Sequence, residues 1–216
     1  LPAGWAIQSI DDRQWQIGTT SNSSGYGPGY WPSGQHGAGI YLNSSYGNEM
    51  LTHLYSPEYL LPIGSSSRLS FKSWVCTEAN WDGGAISVST DGGINWWYLP
   101  PSIGNFHDQI STINTNSPFY GEGIFDGSTI NGGCSNTIHP FVNKTFDTSN
   151  LSGEDIRFRY SFFSDQLLEY DGWYIDDAGI VIDRFRSEGT WTSPLISADD
   201  SSWARALPGW VYLQLG

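Results

Sequence analysis

Two adjacent carboxylates, Asp176 and Asp177, stand in the middle of an apolar stretch of the chain. Residues 170–182 (YDGWYIDDAGIVI) place aromatic side chains before the pair and β-branched side chains after it, which predicts a buried strand. Successive side chains of a strand point to opposite faces, so we expect one carboxylate to face the sandwich interior or its rim. A carboxylate there is costly unless it is paired, hydrogen-bonded or bound to a metal.

Two interpretations of this pair stay open from the residues alone. In the first, the carboxylates lie in a turn or at a sheet edge and accept hydrogen bonds from backbone N–H groups. In the second, they belong to a structural calcium site, because Ca²⁺ takes about six to eight hard oxygen ligands.

The composition favours one large domain built from strands. The chain has 216 residues, and its 11 Trp, 12 Tyr and 10 Phe are enough for a substantial core. The 26 glycines and the small number of Lys and Glu residues argue against long helices. We therefore expect an all-β protein.

The charge excludes one class of partner. The net charge is −13, and phosphate backbones are bound by clustered Lys and Arg, so we expect no nucleic acid partner. An acidic surface suits divalent cations or a salt-rich environment. The sequence has no apolar run of about eighteen residues, so we expect no membrane insertion.

Alternation of apolar and polar residues predicts the individual strands. In the run 156–163, Arg157, Arg159 and Ser161 share one face, and the Asp91-Gly92-Gly93 turn predicts a hairpin between its neighbouring strands. The predicted strands cover residues 5–8, 14–17, 39–42, 67–76, 85–89, 95–99, 144–147, 156–163 and 170–182. Residues 43–56 are rich in turn formers, and we expect most of 100–140 to be irregular and to have a function or a covering role.

The C-terminal segment, residues 186–216, has a separate pattern. It contains two predicted strands, at 189–196 and 210–215, joined by a turn. Two strands alone are marginally stable in water, so we expect them to pair with the main domain, a following β module or another copy of the chain.

Several motifs in order resemble one family of modules. The first half of the likeness is residues 67–71, Glu78, 82–84 and 88–96, and the second half is 147–151, 156–160, 164–165 and 171–177. Together they resemble the MAM-like jelly-roll modules of secreted bacterial and archaeal proteins, which include the non-catalytic C-terminal module of immune-inhibitor-A metalloproteases. The likeness covers about residues 5–183. It implies a two-sheet antiparallel jelly-roll β-sandwich with long loops, often stabilised by calcium, over residues 1–185.

Within that fold, five carboxylates are the candidate calcium ligands. The first and last strands of a jelly roll lie near each other, and the loop that carries Glu78 and Asp82 can reach the same rim. Several carboxylates in one place repel each other unless a cation neutralises them. The candidate set is Glu78, Asp82, Asp165, Asp176 and Asp177, with Asp11 or Asp12 as further possibilities.

Other residue types give further candidate sites. The two cysteines, Cys76 and Cys134, could form one disulfide or remain two thiols, and export of the chain would favour the disulfide. Two aromatic pairs suggest stacking on sugars, with Trp31 and Trp97 as the candidate carbohydrate-binding residues. Glycosylation sequons, compatible with export, begin at Asn22, Asn43, Asn143 and Asn150.

The sequence predicts a binding or structural role and no catalysis. It has no His-Glu-x-x-His run, no cysteine–histidine cluster with zinc spacing and no Gly-x-Ser-x-Gly motif. We expect an extracellular or cell-surface, calcium-stabilised module for adhesion, filament assembly or surface assembly, with copies of itself or neighbouring β modules as partners. The alternative is a carbohydrate-binding accessory module of a secreted hydrolase, with glycans as partners.

Overall fold

The computed structural model describes residues 2–9, 12–20, 25–99, 109–110, 114–127 and 140–185. In these ranges the chain forms strands and one short 3-10 helix, Ser149–Leu151. The strands are β1 (Ala6–Ser9), β2 (Trp15–Gly18), β3 (Gly37–Ile40), β4 (Leu51–Leu60), β5 (Ser65–Cys76), β6 (Gly83–Ser89), β7 (Trp97–Tyr98), β8 (Gln109–Ile110), β9 (Gly123–Ile124), β10 (Val142–Asp147), β11 (Asp155–Phe163) and β12 (Gly172–Phe185).

Two antiparallel sheets of five strands each make up the sandwich. Sheet A has the strand order β1-β4-β11-β6-β7, and sheet B has the order β10-β5-β12-β3-β2. Strands β8 and β9 form a separate small ribbon. The predicted all-β sandwich of two antiparallel sheets is therefore confirmed.

The core lies between the sheets and is built around Trp173. Its ring stacks on Phe125, with centroids 5.1 Å apart, and meets the edge of Trp15 at 5.3 Å. Its indole N–H donates a hydrogen bond to the Ser73 hydroxyl at 2.9 Å, so the one polar atom of this buried side chain is satisfied. Gly84 in sheet A leaves the space for this ring, because a Cβ at that position would lie 2.1 Å from it.

One part of the sequence prediction is wrong. The segment 51–56, expected to consist of turns, is the first part of β4 and pairs with β1 and β11. Its inward side chains include Thr52 and Ser56, so the strand lacks the apolar alternation by which sequence patterns are recognised. Phe125, from the segment expected to be mostly irregular and to have a function or a covering role, is fully buried in the core.

Two of the sequence expectations concern the C-terminal segment and the membrane. Residues 186–216, with their predicted exchanged strands, lie outside the described residues. In the described part of the chain, no helix is long and apolar enough to cross a membrane.

Candidate metal centre

Three loops meet at one end of the sandwich. Residues 41–50 join β3 to β4, residues 77–82 join β5 to β6, and residues 164–171 join β11 to β12. Backbone hydrogen bonds tie the first loop to the third, from Tyr46 N–H to Tyr170 O at 3.0 Å and from Glu49 N–H to Asp165 O at 2.6 Å. The end of the sandwich is thus closed by loops that hold each other.

Three carboxylates converge between these loops. One oxygen each of Glu78, Asp82 and Asp165 lies within 4.8 Å of the others. A tight turn brings the first two together, because the N–H of Asp82 donates to Glu78 O at 3.1 Å and the Thr77 hydroxyl donates to Asp82 O at 3.1 Å. Residues far apart in sequence therefore bring three negative charges to one point.

Asp82 is the buried centre of this group. It is 1% exposed, and its two oxygens accept hydrogen bonds from the Tyr46 hydroxyl at 2.7 Å and from the Asp165 N–H at 2.7 Å. The same hydroxyl accepts a hydrogen bond from the Glu78 N–H at 3.1 Å. The Tyr46 hydroxyl also lies within hydrogen-bond distance of Leu168 O, at 3.1 Å, so Tyr46, itself 1% exposed, connects the 77–82 loop to the 164–171 loop.

The carboxylates are strained electrostatically when no cation is present. Burial is the largest of the effects that raise the pKa of the Asp82 carboxyl to about 7; the charges of Asp165 and Glu78 act in the same direction, and its two hydrogen bonds act against them. Burial and the charge of Asp165 also raise the pKa of Glu78. Each of these carboxylates therefore disfavours the charged form of its neighbours, and a bound cation would stabilise the charged forms.

One oxygen of the group has no partner. Oε2 of Glu78 is a buried side-chain atom without a hydrogen-bond donor. An unpaired buried acceptor costs about 1–3 kcal/mol, more when it is charged. A hard cation bound between the carboxylates would supply the missing interaction, so these residues fit Ca²⁺.

The backbone around the group adopts an uncommon conformation. Glu49, Asn80 and Leu168 have φ values of 54°, 72° and 56°, in the left-handed region. Such residues persist only where the surroundings fix them, and they are frequent at functional sites. Leu168 lies three residues after Asp165, and Asn80 lies between the other two carboxylates, so these conformations shape the loops that carry the candidate ligands.

Asp176 and Asp177 lie in another place, on the outer side of sheet B. The register of β12 against β5 shifts between Asp176 and Gly179, and Asp177 has φ of 51°. This bulge breaks the strand alternation, so the expectation that the two side chains face opposite ways is wrong. Both carboxylates contact Ser33: its N–H donates to Asp176 at 2.9 Å, and its hydroxyl donates to Asp177.

Asp177 has a cationic partner in this position. The Lys72 ammonium lies 2.7 Å from its carboxylate. Although desolvation opposes the effect, the hydrogen bonds from Lys72 and Ser33 lower the pKa of Asp177. As in the first interpretation, backbone N–H groups donate to this pair, those of Ser33 and Asp177 to Asp176. The pair lies in an inner strand, however, and not in a turn or at a sheet edge, and Lys72 pairs with Asp177.

We expect substitution of the β12 pair to leave calcium binding intact. In the variant Asp177→Asn, the rise in melting temperature on adding calcium should match that of the unchanged protein, because the carboxylate is not in the loop cluster. The metal-free melting temperature should fall by no more than about 2–4 °C, since a half-exposed ion pair contributes about 1 kcal/mol or less. Loss of the calcium response in this variant would place the ion at β12.

The remaining candidate residues are distributed over the molecule. Asp12 is exposed and is not in the carboxylate group, and Asp11 lies outside the described residues. Trp31 is 9% exposed and packs against Phe141 and Tyr174, so its ring face is not available to a sugar. Trp97 is 52% exposed, and its contact with a sugar stays a prediction.

The disulfide and the sequons stay predictions. Cys76 is 1% exposed in the cluster beneath Trp31, whereas Cys134 lies outside the described residues. Asn43, Asn143 and Asn150 are exposed, and Asn22 lies outside the described residues.

Tyr46 is the residue of the candidate site that sequence reasoning missed. No motif marks it, and its segment was expected to consist of turns. A tyrosine within a polar, glycine-rich stretch (NSSYGNE) was the available signal, because an aromatic ring in such a loop is usually there to pack or to hydrogen-bond.

Comparisons with known proteins give one relative and several distant structures. No family model matches the chain. Bacillopeptidase F of Bacillus subtilis (strain 168) is 27% identical over 176 residues, which are 82% of this chain and 10% of that protein. The chain thus spans about a tenth of the length of this relative.

Two solved structures align over most of the chain. TmCBM61 in complex with β-1,4-galactotriose matches 84% of this chain and 90% of that chain, with a TM-score of 0.48 and 15% identity. The K3 cleaved adhesin domain of Lys-gingipain from Porphyromonas gingivalis W83 matches 83% of this chain and 91% of that chain, with a TM-score of 0.48 and 15% identity.

Proposed function

We propose that this chain is a non-catalytic β-sandwich module of an extracellular protein, and that a calcium ion bound by Glu78, Asp82 and Asp165 holds its loop end together. The observation that carries the proposal is the buried, unpartnered oxygen of Glu78 beside two further carboxylates. Calcium suits such a site because it takes only oxygen ligands and tolerates irregular geometry. The role of the ion is structural: it neutralises the carboxylates of the 77–82 and 164–171 loops, which otherwise repel each other.

The size relation to the sequence relative supports a module of a larger protein. The chain matches a tenth of a much longer peptidase over most of its own length, which fits an accessory unit. In this proposal the module serves adhesion or assembly at the cell surface, with residues 186–216 supplying contacts to a second copy or a neighbouring β module.

Thermal unfolding tests the calcium site. After EDTA treatment and removal of the chelator, calcium at about 100 times its dissociation constant should stabilise the protein by about 2.7 kcal/mol. For a chain of this size that corresponds to a rise in melting temperature of about 5–10 °C. An unchanged melting temperature at millimolar calcium would contradict the proposal, and magnesium at the same concentration is the control for ionic strength.

Light scattering separates the two roles proposed for the module. Assembly predicts particles larger than a monomer that disappear when residues 187–216 are deleted. A monomer with and without the segment would favour the carbohydrate-binding alternative. The observation behind that alternative is a half-buried cluster of rings, Tyr55 and Trp96, on the outer face of sheet A.

A further inference from the structure

The outer face of sheet A carries two arginines between aromatic rings. Arg157 and Arg159 both point outward from β11, the third of the five strands of the sheet. The Arg159 guanidinium carbon lies 4.7 Å from the centre of the Trp96 ring, and that of Arg157 lies 5.1 Å from the centre of the Tyr55 ring. We name these four residues, Tyr55, Trp96, Arg157 and Arg159, the arginine patch.

The rings of the patch are fixed in position. Their centroids are 5.4 Å apart with an interplanar angle of 53°. The Tyr55 hydroxyl donates to Gln8 at 2.7 Å, and the Trp96 indole N–H donates to Gly93 O at 2.9 Å. A preformed arrangement of rings and cations loses little entropy when a ligand binds.

The two guanidinium groups have no carboxylate partner among the described residues. Nε of Arg157 donates to Ser56 O at 2.8 Å, and one terminal nitrogen of Arg159 lies 3.4 Å from the Ser87 hydroxyl. Nε of Arg159 is buried and has no acceptor. Glu58 stands opposite Arg157 in the register, but these two side chains form no ion pair.

Unpaired cations are unexpected in this protein. The chain has 22 acidic residues and 9 Lys and Arg residues, so surface arginines have many potential partners. Two arginines that stay without a carboxylate, on half-buried side chains, are arranged for an anion from outside.

We propose that the arginine patch binds a carboxylated glycan, with the uronate carboxylates on Arg157 and Arg159 and a sugar ring against Trp96. A peptide strand is less suited, because the patch lies on an inner strand whose backbone groups pair with β4 and β6 on both sides. The sugar needs only side chains: cations for its carboxylates and rings for its C–H faces. This site is separate from the calcium cluster and does not depend on it.

Binding of matched trisaccharides tests the proposal. Trigalacturonate, trimannuronate and triguluronate are compared with their carboxyl-reduced neutral counterparts by calorimetry, in calcium and again in EDTA. At least one uronate should bind at least about tenfold more tightly than its neutral form. If no uronate in the set exceeds its neutral counterpart, the proposal is wrong.

Substitutions test whether uronate binding depends on the arginine patch or only on the number of arginines in the protein. Arg157→Gln and Arg159→Gln should each weaken uronate binding at least about tenfold, and Glu58→Gln should strengthen it. Arg68→Gln, on sheet B, is the matched control and should change nothing. Equal losses in all arginine variants, or equally tight binding of a pentaglutamate peptide, would overturn the proposal.

One readout keeps this proposal apart from the calcium proposal. The calcium-dependent rise in melting temperature should persist in both patch variants. Uronate binding without a calcium response would contradict only the calcium site, and a calcium response without uronate binding would contradict only the arginine patch.

Discussion

The variant Glu78→Gln should be at least as stable as the unchanged protein without calcium and should lose most of the stability that calcium gives. In the metal-free protein, Glu78 adds a charge to a group in which Asp165 already disfavours it. Neutralising it should leave the metal-free melting temperature unchanged or raise it by about 1–3 °C, since one weakened like-charge contact is worth less than about 1 kcal/mol at this half-buried position. The rise on adding calcium should fall to less than half of about 5–10 °C.

The opposite signs make this variant informative. A residue with a purely structural role would lower the melting temperature in both conditions. Glu154→Gln, which removes an exposed carboxylate outside the cluster, is the matched control and should behave like the unchanged protein in both. A full calcium response in Glu78→Gln would show that the ion binds elsewhere.

Calcium affinity should fall steeply as the pH falls below 7. Burial raises the pKa of Asp82 from 3.8 to about 7 in the metal-free protein, so below that pH a proton occupies the carboxylate that calcium needs. A competing proton weakens binding about tenfold for each pH unit below the pKa. Titrations at pH 8.0 and 5.5 should therefore give dissociation constants that differ by at least about tenfold, and equal constants would contradict the assignment of Asp82 as a ligand.

Protonation of Asp82 also makes the stability of the metal-free protein depend on pH. Because the folded pKa of Asp82 is raised, its contribution to metal-free stability is present in full below 3.8 and is lost as the pH rises through about 7. His53 acts in the opposite direction: burial and the charge of Arg159 lower its pKa from 6.5 to about 4. Its contribution is present above 6.5 and is lost as the pH falls towards 4, so the two groups partly cancel in the wild-type melting curve.

A second variant removes this cancellation. In His53→Asn, the metal-free melting temperature should rise as the pH is lowered from 8 to 6, since Asp82 then acts without the opposing histidine. Calcium should abolish that rise, because the bound ion keeps Asp82 deprotonated. This comparison tests the pKa of Asp82 without relying on a binding measurement.

Local patterns were enough to predict most of the sandwich. The alternation in β5 and β11 gives the correct inward side chains, because most of each strand has one buried face and one accessible face. The same alternation placed Arg157 and Arg159 on one outer face. Strand β6 was also predicted, although the structure buries it on both faces. Strand β4 was missed because two of its inward-facing residues, Thr52 and Ser56, are polar, whereas a strand is recognised by apolar residues at inward positions.

The site was predictable in part. Glu78, Asp82 and Asp165 were expected to converge, and the structure brings them together. The inclusion of Asp176 and Asp177 in the same set assumed an unbroken strand, whereas a bulge at Asp177 turns both towards Ser33. A bulge depends on tertiary contacts such as the one to Lys72, and no local pattern in the sequence reveals it.

Contacts between residues that are far apart in the sequence were not predicted. Tyr46 reaches Asp82 across 36 residues. Trp96, just before β7, reaches Arg159 of β11, although β6 lies between these two strands in sheet A. Each contact joins residues from different strands or loops, so only the strand order of sheet A and the closure of the loops bring them together.

The central claim is that calcium binds between the loops at Glu78, Asp82 and Asp165, and anomalous X-ray diffraction tests it most directly. Crystals grown with calcium should show one strong anomalous peak at about 2.3–2.6 Å from oxygens of all three carboxylates. The Glu78→Gln variant under the same conditions should show a weaker peak or none. A peak at Asp176 and Asp177, or a loop cluster without any peak at saturating calcium and pH 8, would contradict the account.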